Sequence, residues 1–318
     1  MPAFQAMNTH FLTEGLTTTD HDHVVSAITD AEASYSRFSA CNTLSMINAS
    51  RGEWVPVDDR THRLLLDLSS AYTQTAGMFD PCLGNTLSKL GYRHSFEAIE
   101  TAASASDTYM ENVTSEHEDA PQETGFLPLE VDPTVARVRL HGSDQLDLGG
   151  FAKGWIAQDT ANTLLLKGAR NGLIDAGGDI ILWGHDPSQE FWGIGVANPL
   201  QPKQDLASLW FDRLTAIATS SVLKRRWTDA NGSARHHIID PRTHLPASSD
   251  LLQVTILSRD LGTAEAFAKS LLILGGAAGL PWISSRRGDL AYIALRNDGI
   301  LLTSDNLNCY CSHWEVHS

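Results

Sequence analysis

From residue 129 onward the chain is a succession of short apolar runs with only two helices among them, and this pattern constrains the fold most. Residues 135–140 alternate apolar and polar side chains, the period of a half-buried strand. Residues 172–175 and 179–183 are apolar runs joined by Ala-Gly-Gly, a tight turn. Residues 191–197, 214–219, 236–240, 252–257 and 290–296 read as further strands. The last runs into Asn297-Asp298-Gly299, a strong hairpin signal. The predicted helices cover 152–166 and 263–274. The second is apolar nearly all round (Ala264, Ala266, Phe267, Leu271, Leu272, Ile273, Leu274), so it belongs in the core. Strands and helices mix without a regular βαβ period, which predicts an α+β fold rather than a doubly wound sheet.

The earlier part of the chain reads as strand, helix, turn, helix. Residues 21–38 place Val24, Val25, Ile28, Ala31 and Tyr35 at helical spacing, and residues 60–76 do the same with Leu64, Leu65, Leu68 and Tyr72. Between them, residues 42–48 form a polar turn and a short apolar element. Residues 97–124 then hold eight acidic side chains and no lysine or arginine. They read as a solvated surface insertion, with an acidic docking tail as the alternative. The 318 residues are expected to form one domain, or two intimate subdomains, around that insertion.

Charge narrows the function classes. Asp plus Glu number 38 and Lys plus Arg 23, a net charge of −15. Such a surface repels phosphate backbones and anionic lipid, but it allows a small anion in a local basic pocket. No apolar run approaches the roughly 18 residues of a membrane span. The N-terminal residues show neither a basic nor an apolar signal region, and four cysteines make no disulfide scaffold, so a reduced cytoplasmic setting is expected. Cys309 and Cys311 read as incidental thiols or, less simply, as a metal or redox pair.

Five segments carry possible chemistry, each with a plain structural alternative. Asp147-Leu-Gly-Gly-Phe-Ala-Lys-Gly-Trp155 predicts a strand ending at Leu148, a glycine turn and a helix start, where unpaired amides attract phosphate and Lys153 adds a cation. It lacks the Walker pattern and equally fits an ordinary strand–turn–helix. Asp175-Ala-Gly-Gly-Asp179 brackets a turn with two carboxylates, for a metal or for the turn itself. Ala218-Thr-Ser-Ser221 and Lys224-Arg-Arg-Trp227 offer hydroxyls and cations, for phosphate oxygens or for solvent. His236-His-Ile-Ile-Asp-Pro-Arg-Thr-His244 has the parts of a general base, or of a surface histidine pair. Glu265 and Lys269 share one helix face, as an exposed ion pair or as part of a buried site.

Together these segments resemble the ApbE family, the FAD:protein FMN transferases. Phe79-Asp-Pro-Cys-Leu-Gly84, Asp147–Gly154, Ile174–Asp179, Ala218-Thr-Ser220, His237–Thr243 and the helix at 264–275 occur in the order found there. Met7-Asn-Thr9 looks like its Met-Gly-Thr, and residues 38–48 like its Ser-rich turn. The resemblance implies an ApbE-like (T-fold-like) α+β fold of mixed sheets and packed helices with a flavin cleft. It implies Mg²⁺-assisted cleavage of FAD and attachment of FMN, through a phosphodiester, to a Thr or Ser of an acceptor flavoprotein. Met7 and Phe38 would contact the flavin or adenine, while Met78, Phe79, Asp80 and Ile239 would line the cleft. Asp147 and Lys153 would hold the dinucleotide, with Thr219 and Ser220 at its phosphate end and Asp175 and Asp179 at the adjacent turn. His237 would be the base with Asp240 behind it, and the Gly150 carbonyl would reach the metal.

The sequence departs from the family pattern at three places. Where the family has a metal-binding Asp and Thr, this chain has Glu265 and Lys269. Glutamate is a longer hard-cation ligand, whereas lysine has no acceptor. Lys269 is therefore expected to replace Mg²⁺ in part and to neutralise the phosphates. Ser221-Val-Leu stands where the family has Gly and an Asp or Ser, and Asn8 stands for Gly. The expected activity is FMN transfer; a non-catalytic FAD-binding protein and an FAD pyrophosphatase giving FMN and AMP are the alternatives.

Overall fold

The computed structural model describes residues 1–91, 125–224, 226–228 and 234–317; the acidic segment and Arg225 lie outside them. Its central element is an eight-stranded sheet. The strands are β1 (Ala3–Ala6), β2 (Thr9–Glu14), β3 (Gly172–Ala176), β4 (Ile180–Trp183), β5 (Thr215–Ser221), β6 (Leu251–Ser258), β7 (Ala291–Arg296) and β8 (Leu301–Thr303). They lie in the sheet in chain order, each antiparallel to the next. The α+β expectation holds.

Alternation along these strands fills two cores. Ile174, Ile181, Ala216, Ala218, Val254 and Ile256 face the helices. Leu173, Leu182, Ile217, Leu257 and Ile293 face the other way. Within the second set Leu173 pairs with Leu182 and Ile217 with Leu257, and Ile180 pairs with Ile217 on its other side. Over it packs a three-stranded sheet of Trp192–Ala197, Asp205–Phe211 and His313–Val316. The last two of these strands were not expected from sequence. A smaller sheet joins Val55–Pro56, Arg137–Leu140 and Leu129–Val131.

The helices start where their caps dictate. α1 (Thr18–Tyr35) is capped by Thr17 and begins earlier than expected. α2 (Thr43–Asn48) is the apolar element after Asn42, which forms a capping box with Ser45. α3 (Asp59–Gln74) is capped by Asp58, and α4 (Gly84–Lys89) follows. α5 (Ala152–Leu166) matches its predicted bounds. α6 (Leu261–Arg287) is far longer than predicted and breaks its helical backbone at Gly275 (φ 76°). By length and composition α6 reaches what a membrane span needs, which the sequence reading denied. Its apolar surface is buried against β5, β6 and α5.

Two local expectations fail. Leu148 ends no strand; that stretch makes one isolated bridge, between Gln145 and Leu83. Residues 236–240 are not one strand. Ala234–His236 pairs with Arg226–Thr228, Ile239–Asp240 pairs with Leu245–Pro246, and the chain bends between them at His237.

Candidate active site

A cleft of about 250 Å³ opens where the helix layer meets the sheet. Its walls come from segments distant in sequence, and local structure explains why each reaches it. The β1–β2 hairpin turns through Met7 (φ 49°) and Asn8 (φ 55°), both left-handed. Asn tolerates that conformation better than other residues with a side chain, so Asn8 replaces glycine at modest cost. The Met7 N–H donates to Glu32 Oε1 at 2.7 Å, which fixes the turn on α1. Phe38 follows α1 at the cleft mouth, 43% exposed, with the Arg37 guanidinium 4.8 Å from its ring centre.

Met78, Phe79 and Ile239 are buried and form an apolar wall. Asp80 joins them and accepts the Cys82 N–H at 2.7 Å; burial pushes its carboxyl upward in pKa. This segment lies tight against the one that carries Asp147. The Asp147 N–H donates to the Pro81 carbonyl at 2.8 Å, and a Cβ on Gly84 would meet the Gln145 carbonyl at the same distance.

Asp147 lines the cleft but is already engaged. Its Oδ2 lies 2.8 Å from Arg37 Nη1, and its Oδ1 accepts the Gly149 N–H. Arg37, which also lines the cleft, was missed from sequence. No local signal marks it, because its partner is 110 residues away.

The polar end of the cleft is built on two glycine contacts between α5 and α6. A Cβ on Gly150 would lie 3.1 Å from Lys269 Cε, and one on Gly154 would lie 2.9 Å from Glu265 Oε1. These glycines let α6 close on the start of α5. The result is a cluster of Lys153, Asp179, Glu265 and Lys269. Lys153 Nζ is 3.3 Å from Asp179 Oδ2 and 3.5 Å from Glu265 Oε1, and Lys269 Nζ is 3.6 Å from Glu265 Oε2. Burial pushes Glu265 up to about 7 against the pull of both ammoniums. Burial also acts to raise Asp179, but Lys153 and Lys269 hold it below the usual carboxylate range. Asp179 Oδ1 accepts the Thr219 N–H at 3.3 Å. Thr219, Ser220, Lys153 and Lys269 face the cleft here, joined by the exposed Lys224.

His237 lines the same cleft, while its neighbour His236 does not. His236 Nε2 lies 3.1 Å from the Ala247 carbonyl oxygen, and burial lowers that ring to about 4. The bend at His237 thus separates the pair into an inward structural ring and a cleft-facing one.

Three sequence-predicted residues are placed elsewhere. Asp240 does not line the cleft and is engaged by Arg242. The Arg242 side chain forks onto both of its oxygens at 2.7–3.2 Å, and the Arg242 N–H donates to Oδ1. Asp175 is off the cleft wall: it accepts the Gly178 N–H at 2.6 Å and closes the β3–β4 turn. Glu265 is buried behind the wall, among Lys153, Lys269 and Asp179.

Gly150 and Glu265 therefore do not fit a divalent ion. Mg²⁺ needs several oxygen ligands, whereas two ammoniums face Glu265 here. No group of three His, Cys, Asp or Glu residues suited to a metal exists among the described residues.

The ApbE family profile matches residues 7–294. An FAD:protein FMN transferase of Vibrio cholerae is 29% identical over 154 residues, covering 48% of this chain and 46% of that protein. One of Rhodobacter capsulatus is 26% identical over 278 residues, covering 83% of this chain and 48% of that one. The chain thus spans about half the length of these curated relatives. The crystal structure of the ApbE protein of Thermotoga maritima shares the fold, with a TM-score of 0.76 at 23% identity over 97% of this chain and 98% of that one.

Proposed function

The chain belongs to the ApbE family, and on that premise we propose that it is an FAD:protein FMN transferase. The acceptor is a flavoprotein with a Thr or Ser hydroxyl. That oxygen attacks the phosphorus on the FMN side of the diphosphate. A new O–P bond forms, the bond from that phosphorus to the bridging oxygen breaks, and AMP leaves with the bridging oxygen. The hydroxyl proton passes to His237, a task imidazole suits near neutral pH.

The observation that carries this reading is the division of the cleft into two chemistries. Met78, Phe79 and Ile239 offer an apolar wall for a flat ring system. Lys153, Lys269 and Thr219 are joined through Asp179 and Glu265, and Ser220 and His237 line the same cleft, a set that suits charge neutralisation of a diphosphate and a base for the nucleophile. Met7 and Phe38 sit at the cleft's edge and suit contacts with the flavin or the adenine.

The test is a mass measurement on an acceptor flavoprotein domain incubated with FAD and the pure protein. The expected signal is a gain of one FMN less water, with AMP released. His237→Ala is expected to lower the rate by about 100-fold or more. Binding of FAD with no turnover favours a carrier protein, and release of free FMN without acceptor modification favours a pyrophosphatase. Full transfer by His237→Ala would remove the base assigned here.

A further inference from the structure

We propose that Lys269 is the resident cation of this site, so that the diphosphate of the bound dinucleotide is neutralised by Lys269 and Lys153 without a divalent ion. This rests on the reading above that the cleft takes FAD.

Three observations carry it. The first is position. Lys269 lines the cleft while Glu265, one helical turn earlier, is buried behind the wall, so the ammonium is what the cleft presents. Its side chain also fills the space beside Gly150: a Cβ there would lie 3.1 Å from Cε and 3.9 Å from Nζ. The second is charge. Two ammoniums and two carboxyl groups form the cluster, with Lys153 bridging Asp179 and Glu265 at 3.3 and 3.5 Å. Burial draws Glu265 toward its neutral form, so the two ammoniums are not fully matched by the carboxyls and leave positive charge for a diphosphate without a divalent ion. The third is donor chemistry. Lysine supplies three N–H donors and no acceptor, so the residue that faces the ligand suits phosphate oxygens and repels a metal.

The arrangement is built rather than incidental. Gly154 leaves room for the Glu265 carboxyl, 2.9 Å from where a Cβ would stand. Glu265 in turn holds Lys269 from both ends, with its backbone carbonyl oxygen 3.4 Å and Oε2 3.6 Å from Nζ. Lys269 is therefore oriented before any ligand arrives, which reduces the ordering cost of binding.

The experiment uses the whole chain, stripped with EDTA. FAD affinity is read from flavin fluorescence in EDTA and in millimolar Mg²⁺, and Mn²⁺ binding is read separately by the loss of the free-ion paramagnetic signal. Riboflavin, which has no phosphates, serves as the control ligand. We expect FAD affinity to be the same with and without Mg²⁺ and Mn²⁺ to bind no more than to a denatured control. Lys269→Met should weaken FAD by roughly ten- to a hundredfold and leave riboflavin unchanged. A parallel loss of both flavins would make Lys269 merely structural and would overturn the proposal. Mg²⁺-dependent FAD binding, or saturable Mn²⁺ binding by the unmodified protein, would overturn it while leaving the transferase reading intact. Failure of FAD to bind under every condition would instead overturn the reading on which it rests.

Discussion

Replacing Glu265 by Gln tests the electrostatics of the buried cluster. Burial raises this carboxyl from 4.5 in the unfolded chain to about 7 in the fold. Between those values the native protein keeps the proton and the unfolded chain loses it. Unfolding then releases a proton, and stability falls as pH rises. The contribution is fully present below pH 4.5 and fully lost above about 7. At roughly 1.4 kcal/mol per pH unit, the span of the shift amounts to about 3 kcal/mol. Glutamine has no proton to lose, so Glu265→Gln lacks this slope. Urea unfolding of both proteins across pH 4 to 8 is the assay. The stability of the native sequence relative to Glu265→Gln should decline by about 3 kcal/mol over that interval and level off above it. Asp80 and Asp175, also raised by burial, are present in both proteins and cancel. Parallel curves would refute the reasoning: the two ammoniums would then outweigh burial and keep Glu265 charged.

Three further outcomes follow from the packing. Cys41 and Cys309 are exposed, whereas Cys82 and Cys311 are buried. Burial pushes the Cys311 thiol up to about 11 and Cys82 higher still. A thiol reagent at mild pH should therefore label two cysteines in the native protein and four in denaturant; rapid labelling of a third would contradict that packing. Phe267 is buried on α6 with its ring centre 5.5 Å from that of Trp282, so Phe267→Ala should cost about 3–5 kcal/mol in urea unfolding. A cost under about 1 kcal/mol would mean a loosely packed helix. Asn8→Ala should destabilise by about 1 kcal/mol because of its left-handed backbone, while Asn8→Gly should be neutral or better; equal losses would show that the Asn side chain itself matters.

What the sequence disclosed was local. Helix 152–166 was placed to the residue, with the Gly149-Gly150 turn marking its start. The hairpin turns at 177–178 and 297–299 were read from glycines that do carry positive φ. Strand Asp205–Phe211 went unseen although it pairs with Trp192–Ala197 across the short connection 198–204; only its other partner, His313–Val316, lies about a hundred residues away. The site divides in the same way. Phe79, Asp147, Lys153, Thr219, His237 and Lys269 were all picked out and do share one cleft. For Asp240 the local partner Arg242, two residues on, was not read from the sequence. Glu265 was misjudged because helical spacing gives the Glu265–Lys269 pairing but not which of the two faces the ligand.

The order of the main sheet has a consequence for how such a chain can change over evolutionary time. Every strand pairs with the strands before and after it, so the hydrogen-bond registers do not depend on the length of what joins them. The join between β2 and β3 runs from residue 15 to residue 171 and contains α1 to α5. Doubling such a connection costs only about 0.6 kcal/mol in closure entropy. The acidic stretch at 97–124 belongs to this join. A lineage could lengthen, trim or recharge it while His237 and Lys269, later in the chain, kept their places.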